Sequence, residues 1–471
     1  MKKILIITLL FCLFLALSGC NKTKTIIIID NTTSSDDGTN TKKVEPTPDK
    51  LVVWSDATYW GGENEKIIIN MLNEYTKETG IKVEYVAQLD LATKMNAAPL
   101  GGESPDVLIW DRWQTKTYIE QNMLVCLDNY ISEDGINTDD YQQVALKEMC
   151  DNEMVYGMPL DIDAWGYWVN KTALIEANIT EVDHNGNTVA KLPKTWDELR
   201  DAAKKTTKYD SSGNIIRNGL NLNCSGSFFS YIQTAGGKMF NDDQSQVAFN
   251  DEHGFAVLKY WYEMIHTDKV FNKDIMDLGG TDDPFAQGRV VIQINSLLNG
   301  NALYRSIVGD KFDYEFIPFP MGPSTEFATA NNLAGTNTGG LMGGYGLTIP
   351  RTTEYPDHAW DLIKWWVTDN ATKWAEISGL IPAKLTIISD PKLKDIPNVR
   401  NVIDILPYIK ARPDVPGYPS IESGIIMSKI TGLLFENAYS RGAQTSDDKI
   451  RACLKDMEQQ ANATLEFMSD K

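Results

Sequence analysis

Histidine and cysteine are scarce, with four and six copies in 471 residues. No C-x-x-C pair occurs, and His184, His253, His266 and His358 are scattered without metal-ligand spacing. No H-E-x-x-H, G-x-S-x-G or phosphate-loop signature is present, so the common marks of zinc hydrolases, serine hydrolases and nucleotide-phosphate enzymes are missing. Basic charge is short too. Lys and Arg number 44 against 64 Asp and Glu, a formal net charge of −20. A general nucleic-acid binder needs clustered cations, and this balance argues against one. It favours a soluble protein with neutral or cationic ligands. What remains is a chain with ample apolar material, 42% hydrophobic residues and 12 Trp, long enough for two or three domains.

The apolar run Ile4 to Leu17 follows Lys2 and Lys3 and is too short to span a bilayer comfortably. Leu17-Ser18-Gly19-Cys20 closes it and resembles a bacterial lipobox, which implies a signal peptide over 1–20 and a diacylglyceryl group on Cys20. The alternative is a plain secretory signal with a chance cysteine. Two or more acyl chains hold a protein stably on a membrane, each buried methylene adding about 0.8 kcal/mol. Residues 21–48 are rich in Thr, Asn, Asp, Ser and Lys and end at Pro46 and Pro48, which predicts a flexible stalk. Cys126, Cys150, Cys224 and Cys453 remain, as pairs in an unassigned connectivity or as buried thiols.

Leu51 to Trp54 reads as a buried strand, Glu63 to Glu78 as a helix stopped by Gly80, and Ile81 to Val86 as a second strand. Strand, helix and strand at this spacing predict a βαβ unit in a parallel sheet. The loop after the first strand, with Asp56, Tyr59 and Trp60, then lies at the carboxyl edge where such sheets bind ligands. Asp106 to Trp110 reads as another strand, delivering Asp111, Arg112 and Trp113 to the same edge. In the run Met154 to Lys171, alternation puts Asp161, Asp163 and Trp165 on one side of an extended backbone. Carboxylates beside exposed aromatic faces suit a sugar, apolar on its ring faces and hydroxylated at its edge; ordinary surface packing is the competing reading.

Farther along, Asn185-Gly186 predicts a hairpin turn, and Thr195 with Glu198 a capping box opening a helix. Helices are predicted over Phe228 to Ala235 and His253 to Thr267, with Phe255, Leu258, Tyr262 and Ile265 on one stripe. Val290 to Ile294 reads as a buried strand ending at Asn295-Ser296, and Phe312 to Pro320 as a further strand. Gly339 to Pro350 brings backbone and Tyr345 close to something, a helix from about Tyr355 to Thr368 follows, and Ser420 to Met468 is mostly helical.

Taken in order, these pieces resemble the extracellular solute-binding proteins of ABC importers, in the group of maltose and oligosaccharide receptors. The motifs that carry the likeness are Leu51 to Trp54 with its helix, Gly101 to Trp113, Val155 to Lys171, Leu192 to Leu199, Gly236-Gly237, Phe285 to Asn295, and Gly343 to Ile349 with Ala359-Trp360-Asp361. The resemblance implies a two-lobe, periplasmic-binding-protein-like (type II) α/β fold with hinge strands. One lobe would hold 49–160 and 321–380, the other 161–320 and 381–471, with Leu160 to Trp165 as a hinge crossing. It places Asp163 where such a receptor has a sugar-binding carboxylate, aligns Trp110, Asp111 and Arg112 with its Trp and Asp-Arg pair, and puts Tyr418 near its aromatic platform. The chain departs after Asn295-Ser296, where the family often has Trp and Leu297-Leu298 stand instead.

The candidate platforms are thus Trp54, Trp60, Trp110, Trp113, Trp165, Tyr345 and Tyr418. Asp56, Asp111, Arg112, Asp163 and Asn295 are the polar partners. No catalytic residue, cofactor or metal is expected. The partners implied are a carbohydrate, the permease subunits and, through Cys20, the outer face of a Gram-positive bacterial membrane, with the protein monomeric. Two other readings stay open. One is a receptor of the same fold for a polyamine or an iron chelate. The other is a secreted glycan-active enzyme using Asp161 and Asp163, about 6–7 Å apart by strand rise.

Overall fold

The computed structural model describes residues 45–101, 104–222, 226–276, 283–323, 337–396 and 398–469. Cys20, most of the expected stalk, the Gly102-Glu103 turn and Cys224 lie outside the described residues. Among the described residues no helix is long and apolar enough to cross a membrane, and no disulfide joins Cys126, Cys150 and Cys453 to one another.

Strand β1 (Leu51–Asp56) lies between β2 (Val83–Gln88) and β3 (Val107–Asp111), parallel to both. The helix Glu65–Thr79 crosses between β1 and β2 and buries Ile67, Ile68, Met71, Leu72 and Tyr75; Gly80, at φ 79°, ends it. A small hairpin of β4 (Cys150–Asp151) and β5 (Met154–Val155) precedes β6 (Gly157–Pro159) and the long β7 (Asp161–Asn170). A second hairpin, β8 (Thr180–Val182) and β9 (Thr188–Ala190), turns at Asn185-Gly186 as predicted. Thr195 caps the helix Trp196–Thr206 by accepting from Glu198 N–H, and the Glu198 carboxylate reaches back to Lys194 N–H. The capping box is therefore present, with its return bond one residue upstream.

The chain continues through β10 (Lys208–Tyr209), β11 (Ile215–Leu220), β12 (Val290–Ser296) and β13 (Tyr314–Pro318). It then passes β14 (Met342–Gly343), β15 (Tyr345–Thr348) and β16 (Ile381–Pro382). The helix Glu252–His266 buries Leu258, Trp261 and Met264 along with Phe255, while Tyr262 and Ile265, expected on the inner stripe, flank it half-buried. The helices Met427–Phe435 and Ser446–Ser469 close the chain against the same core.

Two sheets result. The first runs β2-β1-β3-β15-β6 and the second β10-β11-β12-β7-β13. Strand β7 ties them together. Its first residues pair with β16 (Pro382↔Asp161) and β14 (Gly343↔Asp163), Trp165–Val169 pair with β12, and Gly166–Asn170 pair with β13. The chain returns through β14 and β15 to the first sheet, so Leu160 to Trp165 is a crossing, as the resemblance implied. One core packs Tyr167, Trp196, Phe228, Trp261 and Leu454 behind the second sheet. The other packs Leu51, Tyr75, Ile109, Trp366 and Trp374 behind the first, and it extends past the crossing to Trp168, Phe285, Phe316 and Val399. Packing is thus continuous through the crossing.

Candidate functional site

Strand ends from both sheets converge where β7 crosses. Strand β1 ends at Asp56, whose carboxylate accepts from Thr58 N–H at 2.8 Å and so starts the short helix Ala57–Trp60 carrying Tyr59. Strand β3 ends at Asp111, opposite Tyr345 at the start of β15, and Trp113 follows one residue beyond Arg112. Strand β7 contributes Asp163 and Trp165, and β12 ends at Asn295-Ser296. The loop after Lys410 brings in Arg412, whose guanidinium carbon lies 5.6 Å from the centre of the Trp113 ring and whose Nε donates to Glu422 at 2.9 Å. Lys116 and Asp414 form an exposed ion pair at 3.0 Å beside it.

Asp56, Tyr59, Asp111, Trp113, Trp165 and Asn295 are all partly exposed. The Trp165 indole nitrogen lies 3.7 Å from the point where a Cβ on Gly343 would stand, so this glycine leaves the ring and the Asp163 backbone room. Burial pushes the Tyr59 hydroxyl pKa up, and Asp111, Asp56 and Asp163 add to that while Arg412 opposes it. Burial likewise raises Asp111, against the pull of Arg412 and Arg112. The site is therefore an acidic cluster with Arg412 and two part-exposed indoles, Trp113 and Trp165. Among the described residues no group of three or more His, Cys, Asp or Glu side chains stands close enough to hold a metal ion.

Two carboxylates sit deeper. Asp161 accepts from Tyr345 N–H at 3.0 Å and from the Trp374 indole at 3.0 Å, and Asp163 accepts from Leu298 N–H at 2.9 Å. Burial pushes both up to about 7, against these donors. Both oxygens of Asp161 are engaged inside the first core, which removes it from a carboxylate pair facing a substrate. The raised values have a stability consequence with a definite sign. Folded carboxyls that hold protons above their unfolded pKa of about 3.9 stabilise the fold below that pH, and the benefit is lost as pH rises to about 7. Urea unfolding should therefore show stability falling between pH 5 and pH 7.5, at up to about 1.4 kcal/mol per unit per group. Asp163→Asn, which keeps an acceptor for Leu298 N–H, should flatten the slope; an unchanged slope would show that Asp163 does not titrate in this range.

The structure puts several expected contact residues elsewhere. Trp54 and Trp110 belong to a small cluster with Leu91, Met95, Leu108 and Tyr118, and Trp110 stacks on Tyr118 with centroids 3.9 Å apart. Trp60 is fully buried, edge-on to Tyr345 at 4.7 Å and packed on Trp374 at 5.7 Å. Tyr345 and Tyr418 are also buried, Tyr418 against Phe240. Arg112 has no exposed surface: it donates to Glu148 and to the carbonyls of Asp161, Gly343 and Tyr345. These six are packing or bracing residues in this structure; for Trp110 and Arg112 the reason is that β3, in offering Asp111 to the edge, turns its neighbours inward. The sequence reading overlooked Arg412 and Glu422 as site residues and left Tyr59 unassigned. Arg412 carries the one available signal, a cation opening the proline-rich run that ends at Tyr418.

A family model for bacterial extracellular solute-binding proteins matches residues 70–401. The maltotriose-binding protein of Pyrococcus abyssi is 22% identical over 390 residues, covering 82% of this chain and 78% of that protein. An ABC transporter solute-binding protein from Thermotoga lettingae, solved with α-D-tagatose, superposes with a TM-score of 0.66 at 21% identity, covering 87% of this chain and 99% of the other. UgpB from Mycobacterium tuberculosis, solved with glycerophosphocholine, gives 0.68 at 18% identity, covering 89% and 98%. With the fold shared along nearly the whole length of these neighbours and the family match spanning most of the chain, the protein belongs to the bacterial extracellular solute-binding proteins.

Proposed function

We propose that the protein captures a sugar or oligosaccharide for an ABC importer, closing two lobes over it and presenting the closed form to the permease. The lobes would centre on the two sheets, one holding 49–160 and 321–380 and the other 161–320 and 381–471. A lipid on Cys20 would hold the protein on the outer face of the membrane. The observation that carries the reading is the pair of part-exposed indoles, Trp113 and Trp165, set beside the part-exposed Asp111, with Asp163 buried beneath them. An aromatic face covers the C–H face of a sugar ring, and carboxylates take its hydroxyl protons. Ligand touching both lobes then shifts the population toward closure by its differential affinity. The relatives that bind maltotriose and tagatose support a carbohydrate ligand.

The acidic balance of the cluster favours a second reading, a cationic or zwitterionic solute, and the neighbour holding glycerophosphocholine shows that this fold accepts one. Thermal denaturation of the purified protein against mono- and oligosaccharides, amines and choline esters decides between them. A true ligand at 100 times its dissociation constant adds about 2.7 kcal/mol of stability. Stabilisation by amines alone, with silence across the sugars, would overturn the carbohydrate reading.

A further inference from the structure

A cavity of about 580 Å³ opens at the outer edge of the second sheet, against β13. Four cations line it: Lys171, Arg305, Lys394 and Arg400. Lys171 is paired with Glu315 at 3.2 Å. Arg305, Lys394 and Arg400 have no ion pair among the described residues, and Asp395 is the other carboxylate in the wall. The floor is fixed rather than loose. Buried Asn301 donates to Gly379 O at 2.9 Å and accepts from Asn398 at 3.2 Å, and Asn401 donates to Glu315 and to Phe316 O.

Unpaired cations gathered on a concave surface are out of keeping with a chain of net charge −20. A concave wall of one sign focuses its field on what enters. Two guanidinium groups match the oxygen geometry of phosphate better than lysines alone would, and a dianion answers more of the surplus charge than a single carboxylate. The volume falls in the range of small-ligand pockets. The site is separate from the cluster described above: Lys171 follows the far end of β7, about 20 Å along the strand from Trp165.

We propose that this cavity binds a small phosphate monoester, independently of the ligand held at the crossing. The proposal does not rest on the carbohydrate reading, since it uses none of the same residues. Titration calorimetry of the full chain at low salt, with glycerol 3-phosphate as probe and glycerol as the uncharged control, tests it. Saturable binding of glycerol 3-phosphate alone, weakening as salt rises, is expected. Arg305→Gln and Arg400→Gln should each raise the dissociation constant at least tenfold. Both side chains are exposed, so the melting temperature should not move, and Lys394→Gln serves as a third variant should either fail to fold. Trp165→Ala should leave this binding intact. No heat with the phosphate ester, equal heat with glycerol, variants that bind like the parent, or loss of binding in Trp165→Ala would each overturn the proposal.

Discussion

Replacing Arg112 with alanine is expected to destabilise the fold by about 3–5 kcal/mol, the range for removing one partner of a buried ion pair. The side chain is wholly buried, and each nitrogen of its guanidinium donates to a different place. Nε reaches Glu148 at 3.0 Å and Nη2 reaches Gly343 O at 2.8 Å; Nη1 takes the carbonyls of Asp161 and Tyr345. One residue after β3 thereby fastens the start of β7, the end of β14 and the start of β15, the segments by which the chain passes between the sheets. Alanine would leave three carbonyls without this donor and the part-buried Glu148 carboxyl without its partner. Burial already pushes Glu148 up to about 6 despite Arg112, so in the variant it would hold its proton at neutral pH. Gly344, at φ 137°, is part of the same device, since a Cβ there would stand 2.1 Å from Nη1. Lysine cannot replace the fork with a single ammonium, so Arg112→Lys should recover only part of the loss. Urea unfolding at pH 7 reads both. A loss under about 1 kcal/mol for alanine would mean the crossing does not depend on this brace.

That brace marks where sequence reading stopped short. The first βαβ unit was legible because its apolar residues recur at helical and strand spacing and Gly80 supplies an unmistakable end. The crossing at Leu160 to Trp165 was legible only through the family likeness, because a strand that leads the chain out of one sheet and into another has the same local pattern as one between neighbours of a single sheet. Trp54 and Trp110 illustrate the limit for the site. Trp110 sits one residue before Asp111, and alternation along β3 sends its ring to a core on the other face; Trp54 lies on the same side of β1 as Asp56, two residues on, and its ring packs into that same small cluster. Arg112 failed as a ligand contact for a related reason: its destination is the backbone of segments 49 and 231 residues away in sequence, and only tertiary structure reveals those carbonyls. Arg412 comes from the opposite end of the chain to Trp113, so no local pattern joins them.

Trp165→Ala should weaken ligand binding by about 2–3 kcal/mol, a loss of roughly 30- to 150-fold. An aromatic side chain buries on the order of 150–250 Å², and at ~25 cal/mol per Å² one covered face accounts for about half of that transfer energy. Trp165 is half-buried against the second core, so some folding stability should go with it, whereas Trp110→Ala should give the reverse pattern. Trp110 is enclosed and stacked on Tyr118, and its removal should cost about 3–5 kcal/mol of stability while the surviving folded protein keeps its affinity. Comparing dissociation constants and unfolding free energies for the two variants separates a platform from a packing residue with one chemistry of substitution. Asp111→Asn, measured beside Trp165→Ala, then separates ligand classes. A neutral sugar leans on the indole and loses affinity chiefly with Trp165, since asparagine still offers an acceptor for a hydroxyl. A cationic solute leans on the charge and loses affinity chiefly with Asp111, through a Coulomb term that asparagine cannot supply.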